Sequence, residues 1–64
     1  MWDQRYFAVG DWFSCEYNGK ARPTCEVIEQ PAGRDYMLVR TADGHRNFKY
    51  AGLSKVEHQS LSAK

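Results

Sequence analysis

Trp12-Phe13-Ser14-Cys15-Glu16-Tyr17, then Asn18-Gly19, then Lys20-Ala21-Arg22-Pro23-Thr24-Cys25-Glu26-Val27-Ile28-Glu29 is the stretch that decides the fold. Asn-Gly adopts the positive φ angles of a two-residue type I′ turn at little cost, and apolar and polar residues alternate on either side of it. The stretch predicts a β-hairpin, but its register carries a conflict. Unbroken pairing outward from Asn18-Gly19 sets Phe13 opposite Thr24 and Trp12 opposite Cys25, so the apolar pair Phe13 and Cys15 would face one side and Cys25 and Val27 the other. One extra residue in the second strand removes the conflict. Pro23 has no N–H to give to a ladder and belongs at an edge or a bulge, so a β-bulge is expected near Arg22-Pro23, with both cysteines inside.

A second hairpin follows the loop Gln30-Pro31-Ala32-Gly33-Arg34. It runs from Asp35 to Thr41, turns at Asp43-Gly44 and returns from His45 to Tyr50. Pairing across that turn sets Val39 opposite Phe48 and Met37 opposite Tyr50 on an apolar face, and leaves Leu38, Arg40, Asn47 and Lys49 on a wet one. Ala51-Gly52 breaks the strand, and Leu53 to His58 supplies a short fifth one carrying Leu53 and Val56. No segment repeats apolar residues at helical spacing over eleven positions or more. Residues 1–10 are ambiguous, since Trp2 and Tyr6 have helical spacing while Tyr6 to Val9 could be extended. The expectation is all-β: a single domain over residues 1–64, made of a small five-stranded SH3-like or Sm-like barrel over 11–58, a short N-terminal segment before it and a frayed tail over 59–64.

Sixty-four residues with 42% hydrophobic and 14% aromatic content are enough for one thin core and too few for two. Nine basic residues against eight acidic ones give a net charge of +1, so any cationic face must be local. No run approaches the roughly 20 apolar residues of a membrane span, and Met1-Trp2-Asp3-Gln4-Arg5 lacks the apolar stretch of a signal peptide. The reading is a cytoplasmic protein without a membrane partner. Cys15 and Cys25 are too few for a disulfide framework, and with His45 and His58 they show no zinc spacing, so neither metal nor cofactor is expected. Ser14, Ser54, Cys15, His45 and His58 fit no nucleophile–base pattern, and no enzyme activity is expected.

Asp35-Tyr36-Met37-Leu38-Val39-Arg40, the turn, and Arg46-Asn47-Phe48-Lys49-Tyr50 with Leu53 resemble the end of the Sm-like barrel in WYL domains, whose signature is R-x-F-R-L-D-R-I, and in the Rof family of Rho-binding antitermination proteins. The resemblance spans residues 35–56, with Ala51-Gly52 where that signature has Asp-Arg or Asp-Lys. It implies regulation in nucleic-acid transactions, by ligand sensing or nucleic-acid binding in the first family and by occupying an RNA-binding surface in the second. Val9-Gly10-Asp11, the inward Cys15, Cys25 and Val27, and Val39 to Gly44 resemble Tudor domains over residues 9–56. The shared feature implied is the barrel rather than methyl recognition, because Arg22-Pro23 and Ala42-Asp43 stand at the turns where cage rings would sit and leave Tyr17 as the main aromatic nearby.

The candidate binding residues follow from charge and rings together. Arg40 and Lys49 share the wet face, Arg22 and Arg46 sit beside turns, and a basic strip with an exposed ring is what a single-stranded nucleic acid meets on a small barrel. Trp2 and Tyr6 offer a second surface for a protein partner. Two functions follow. One is a non-enzymatic binding module acting on nucleic acid, or docking on a nucleic-acid-processing protein such as a transcription factor. The other is a pure protein-interaction module, or a homo-oligomer, using a sheet edge or the N-terminal aromatics.

Overall fold

The computed structural model describes residues 2–59. Five strands, β1 (Trp12–Tyr17), β2 (Lys20–Glu29), β3 (Tyr36–Thr41), β4 (Gly44–Lys49) and β5 (Leu53–Gln59), form one antiparallel sheet in the order β4-β3-β2-β1-β5. β4 and β5 are its two edges. A 3₁₀ turn at Tyr50–Gly52 connects them, but among the described residues no ladder pairs them, so the sheet is open. β5 extends to Gln59, and the rest of the expected tail, 60–64, lies outside the described residues.

The first hairpin carries the bulge that its apolar pattern requires. Cys15 pairs with Arg22 and Phe13 with Cys25, so Pro23 and Thr24 together stand opposite Ser14. The extra residue restores parity: Phe13, Cys15, Cys25 and Val27 are all buried. Two more irregularities break the β1–β5 and β2–β3 ladders. In the former, Lys55 takes a φ of 52°, in the left-handed region.

In the second hairpin the pairing is displaced from the expected one. Met37 stands opposite Phe48 instead of Tyr50, Val39 opposite Arg46, and Thr41 opposite Gly44, so the turn residues are Ala42-Asp43. The Thr41 hydroxyl stabilises this turn, accepting from the Asp43 N–H (3.1 Å) and donating to the Gly44 carbonyl (2.9 Å). A displacement by an even number of positions preserves facing, and Met37, Val39 and Phe48 are buried as expected.

Phe13, Cys25, Val27, Met37 and Val39 are fully shielded from solvent, and Phe48, Phe7, Cys15, Tyr50, Leu53 and Val56 complete the core. Tyr17 lies flat on Phe48, with ring centroids 4.2 Å apart and planes within 2°, while its hydroxyl accepts the Lys49 N–H (2.9 Å). Gly52 packs against this ring so closely that a Cβ there would come within 2.7 Å of both Tyr17 Cε1 and Asn18 Oδ1. The N-terminal segment is neither strand nor long helix. It makes a single 3₁₀ turn at Gln4–Tyr6, capped by the Asp3 carboxylate, which accepts the Arg5 N–H. The Gln30 amide donates to the carbonyls of Gln4 (3.0 Å) and Phe7 (3.1 Å), which seats Phe7 over the core. Beyond it, backbone bonds between Gly10 and Val27 and between Val27 and Asp11 lead the chain into β1.

Candidate functional site

With Phe13 and Cys15 inside, Trp12, Ser14 and Glu16 of β1 face outward, and the registers carry that face across the whole sheet. One transverse row reads Gln59, Trp12, Glu26, Arg40, His45, contributed by β5, β1, β2, β3 and β4 in turn. Tyr36 and Lys49 form a parallel row at the far end of β3–β4, with Leu38 and Asn47 between. On the other flank Ser14 faces Glu57, and Glu16 faces Ser54 and pairs with Lys55 (3.3 Å). On the outer face Glu16, Glu26 and Glu57 lie on β1, β2 and β5, whereas the β4 edge carries only His45, Asn47 and Lys49; Asp35 and Asp43 bracket the β3–β4 hairpin at its two ends.

Each residue singled out in the sequence has a definite place. Arg40 projects outward with its side chain half-exposed; its guanidinium is ion-paired with Glu26 and lies 5.7 Å from the centroid of the Trp12 ring. Lys49 shares that face, but four positions along β4 from His45, the partner of Arg40, so Arg40 and Lys49 are some ~13 Å apart along the strands rather than adjacent. Arg46 pairs with Val39 and so points to the core side, yet it is exposed because β4 is an edge. Arg22 is the residue the sequence reading misplaces. It stands opposite Cys15 on the core face, its side chain only 15% exposed, its guanidinium 5.8 Å from the Phe48 centroid and bonded to Asp43 (3.0 Å). With its Nε shut off from solvent and without a partner, Arg22 supports the two hairpin tips rather than offering a surface. The Trp2 and Tyr6 rings pack against each other at a tilt of 50°, with centroids 4.5 Å apart, and Tyr6 also lies against His58 (4.7 Å).

Charge availability separates these groups further. Asp43 takes Arg22 and Lys20, Glu26 takes Arg40, and Asp3 takes Arg5. The exposed Asp3 carboxyl is held below the usual carboxylate range by its hydrogen bonds from the Arg5 side chain and backbone. Among the described residues Arg34, Arg46 and Lys49 make no ion pair, and the last two lie on β4, whose sequence Gly-His-Arg-Asn-Phe-Lys contains no acid. His45, Asn47 and Trp12 join the site although the sequence reading does not count them among the binding residues: it sets Asn47 on the wet face, takes His45 as a turn residue and weighs Trp12 only as a lid or docking ring beside Trp2 and Tyr6. The signal for His45 and Asn47 was their alternation with the buried Phe48; for Trp12 it was alternation with Phe13.

Chemically, this face can accept phosphate oxygens at β4 and flat apolar rings near Trp12 and Tyr36. Cys15 and Cys25 lie beneath it in the core as free thiols, and the neighbouring Cys25 thiol together with burial pushes the Cys15 thiol well up, which disfavours a nucleophilic thiolate there. No helix among the described residues is long and apolar enough to cross a membrane. Compared with protein-family models, curated proteins and solved structures, the chain finds no match.

Proposed function

We propose that this chain is a non-enzymatic, cytoplasmic binding module of SH3-like or Sm-like barrel type, a small regulatory or adaptor protein in nucleic-acid transactions that contacts RNA or single-stranded DNA through its β3–β4 hairpin. The observation that carries the reading is the acid-free edge strand: Arg46 and Lys49 are exposed and unpaired among the described residues, His45 and Asn47 lie beside them, and the hairpin's own acid Asp43 is already paired with Arg22 and Lys20. Lys and Arg heads that are not already neutralised are the ones free to release counterions from a phosphate chain. The resemblance of residues 35–56 to WYL domains and the Rof family supports the same class of partner.

The test is titration of labelled single-stranded RNA and DNA at several salt concentrations. Wild type binds at low ionic strength and weakens as salt rises. Arg46→Glu with Lys49→Glu lowers affinity at least tenfold and flattens the log–log salt slope by about 0.7 for each phosphate contact removed, with the fold intact. No binding at low salt defeats the reading.

A second reading, protein docking, rests on a different surface. Trp2, Asp3, Arg5 and Tyr6 line an open pocket of about 360 Å³, beside which Tyr6 and Val9 are exposed. A module working there loses its partner on Trp2→Ala, keeps it in the double charge variant and responds little to salt.

A further inference from the structure

The Trp12 indole is half-buried on the outer face, and the Arg40 guanidinium reaches over it while Glu26 holds that guanidinium from the next strand. Beside them, where β3 runs on past its last paired residue with β2, Trp12, Thr24, Arg40, Thr41 and Ala42 bound an opening of about 270 Å³. We propose that this opening is a stacking slot for one unpaired nucleobase of a single-stranded nucleic acid.

The proposal rests on the nucleic-acid reading above and adds a partner-defining contact to it. The opening is smaller than the roughly 300–1,000 Å³ of a drug-sized pocket and is bounded by the Trp12 indole and the Arg40 guanidinium, so it suits a single flat ring. Indole and guanidinium planes are the groups on which splayed-out bases stack. The charge near the slot suits the same ligand: His45 continues the row from Arg40 to the β4 edge, and Lys49, about 13 Å further along the outer face, can meet a phosphate farther along the strand than the two that flank a stacked base. A base inside a duplex has no free face to present, so the slot discriminates against double strands. It carries no base-edge code and tolerates sequence. Glu26 is a positioning residue, acting by fixing Arg40.

The experiment compares two probes of equal length and charge: a labelled single-stranded oligonucleotide, and the same sugar–phosphate chain made entirely of abasic units. The base-bearing chain binds at least about tenfold more tightly, the worth of one stacked base. Trp12→Ala abolishes that difference without weakening the abasic chain, and Trp12→Phe keeps most of it. In the Trp2→Phe protein, where Trp12 is the only indole, the base-bearing chain quenches the fluorescence and the abasic chain does not; this arm decides the matter even if Trp12→Ala does not fold. Equal binding of both probes, or no differential quenching, overturns the slot and leaves the basic-edge reading standing. Failure of both probes to bind at low salt overturns both.

Discussion

Gly52→Ala separates local propensity from tertiary packing, because the two predict opposite signs. Gly52 is not in the left-handed region, so by backbone entropy alone alanine there would stabilise by about 0.4–1 kcal/mol. The structure predicts a loss. The added Cβ would stand 2.7 Å from Tyr17 Cε1 and 2.7 Å from Asn18 Oδ1; the exposed Asn18 side chain can rotate away, but the Tyr17 ring is not free to retreat. Tyr17 is stacked on Phe48 and its hydroxyl accepts the Lys49 N–H; the Asn18 backbone, at a φ of 51°, is tied by its N–H to the Gly52 carbonyl (3.0 Å). Overpacking of this kind costs about 1–3 kcal/mol, and disturbing the stacked pair or its hydrogen bond adds about 1 kcal/mol. Net of the entropic gain, the loss is on the order of 1–3 kcal/mol, a large share of the roughly 3–10 kcal/mol available to a domain of this size. Urea denaturation followed by tryptophan fluorescence reads it as a midpoint lowered by about 1 M or more at unchanged slope. In a Tyr17→Leu background, which removes the ring edge, the same substitution costs less, and the difference is the coupling energy. A Gly52→Ala protein as stable as wild type, or more so, would refute the packing argument.

Val39→Ala removes methyls from a fully buried site and costs roughly 2–3 kcal/mol, whereas the half-buried Leu38→Ala on the outer face costs under about 1 kcal/mol; the reverse order in denaturation would mean that the strand faces the other way. Lys55→Gly relieves a left-handed backbone at the β5 irregularity and raises stability by up to about 1 kcal/mol, which thermal unfolding detects, since the exposed ion pair with Glu16 that it removes is worth little. Cys15 and Cys25 react with iodoacetamide at the rate of global unfolding rather than as free surface thiols, so mass spectrometry of the native protein shows neither alkylated within minutes at neutral pH. For Asp3, the folded pKa lies below the unfolded one, so its contribution to anchoring the N-terminal turn is present above about pH 4 and fades as pH falls through the lowered value; the Asp3→Asn protein shows no such acid step in the fluorescence of Trp2.

How much of this was legible in the residues depends on whether parity or distance decides. Alternation with period 2 fixes faces, so Phe13, Cys15, Cys25, Val27, Met37, Val39 and Phe48 could be assigned to the core from sequence. The conflict between that alternation and the Asn18-Gly19 turn was enough to place a bulge near Arg22-Pro23, one residue from its position at Pro23-Thr24. Parity is blind to a displacement by two. Nothing in Ala42-Asp43-Gly44 alone ranks one two-residue turn above the other, and the Thr41 hydroxyl, which bonds on both sides of Ala42-Asp43, selects the turn only once the backbone has come round. The placement of Arg22 was half-legible, because the hairpin register already sets it opposite the inward Cys15. Its long side chain can still reach polar company at the end of a buried stem, and that company, Asp43, comes from the other hairpin.

The sequence by itself determined which segments are strands, the turn at Asn18-Gly19 and which apolar side chains face inward, because those follow from dihedral preferences and alternation within a few residues. The tertiary structure decided which strands are neighbours. By placing β5 against β1 and leaving β4 at the far edge, it set Glu16 and Glu57 on one flank, left Arg46 and Lys49 unpaired on the other, and lined up Trp12, Glu26 and Arg40 from three strands. Contacts of that range depend on how the open sheet bends over its core, a property of all five strands at once, and so no local pattern records them.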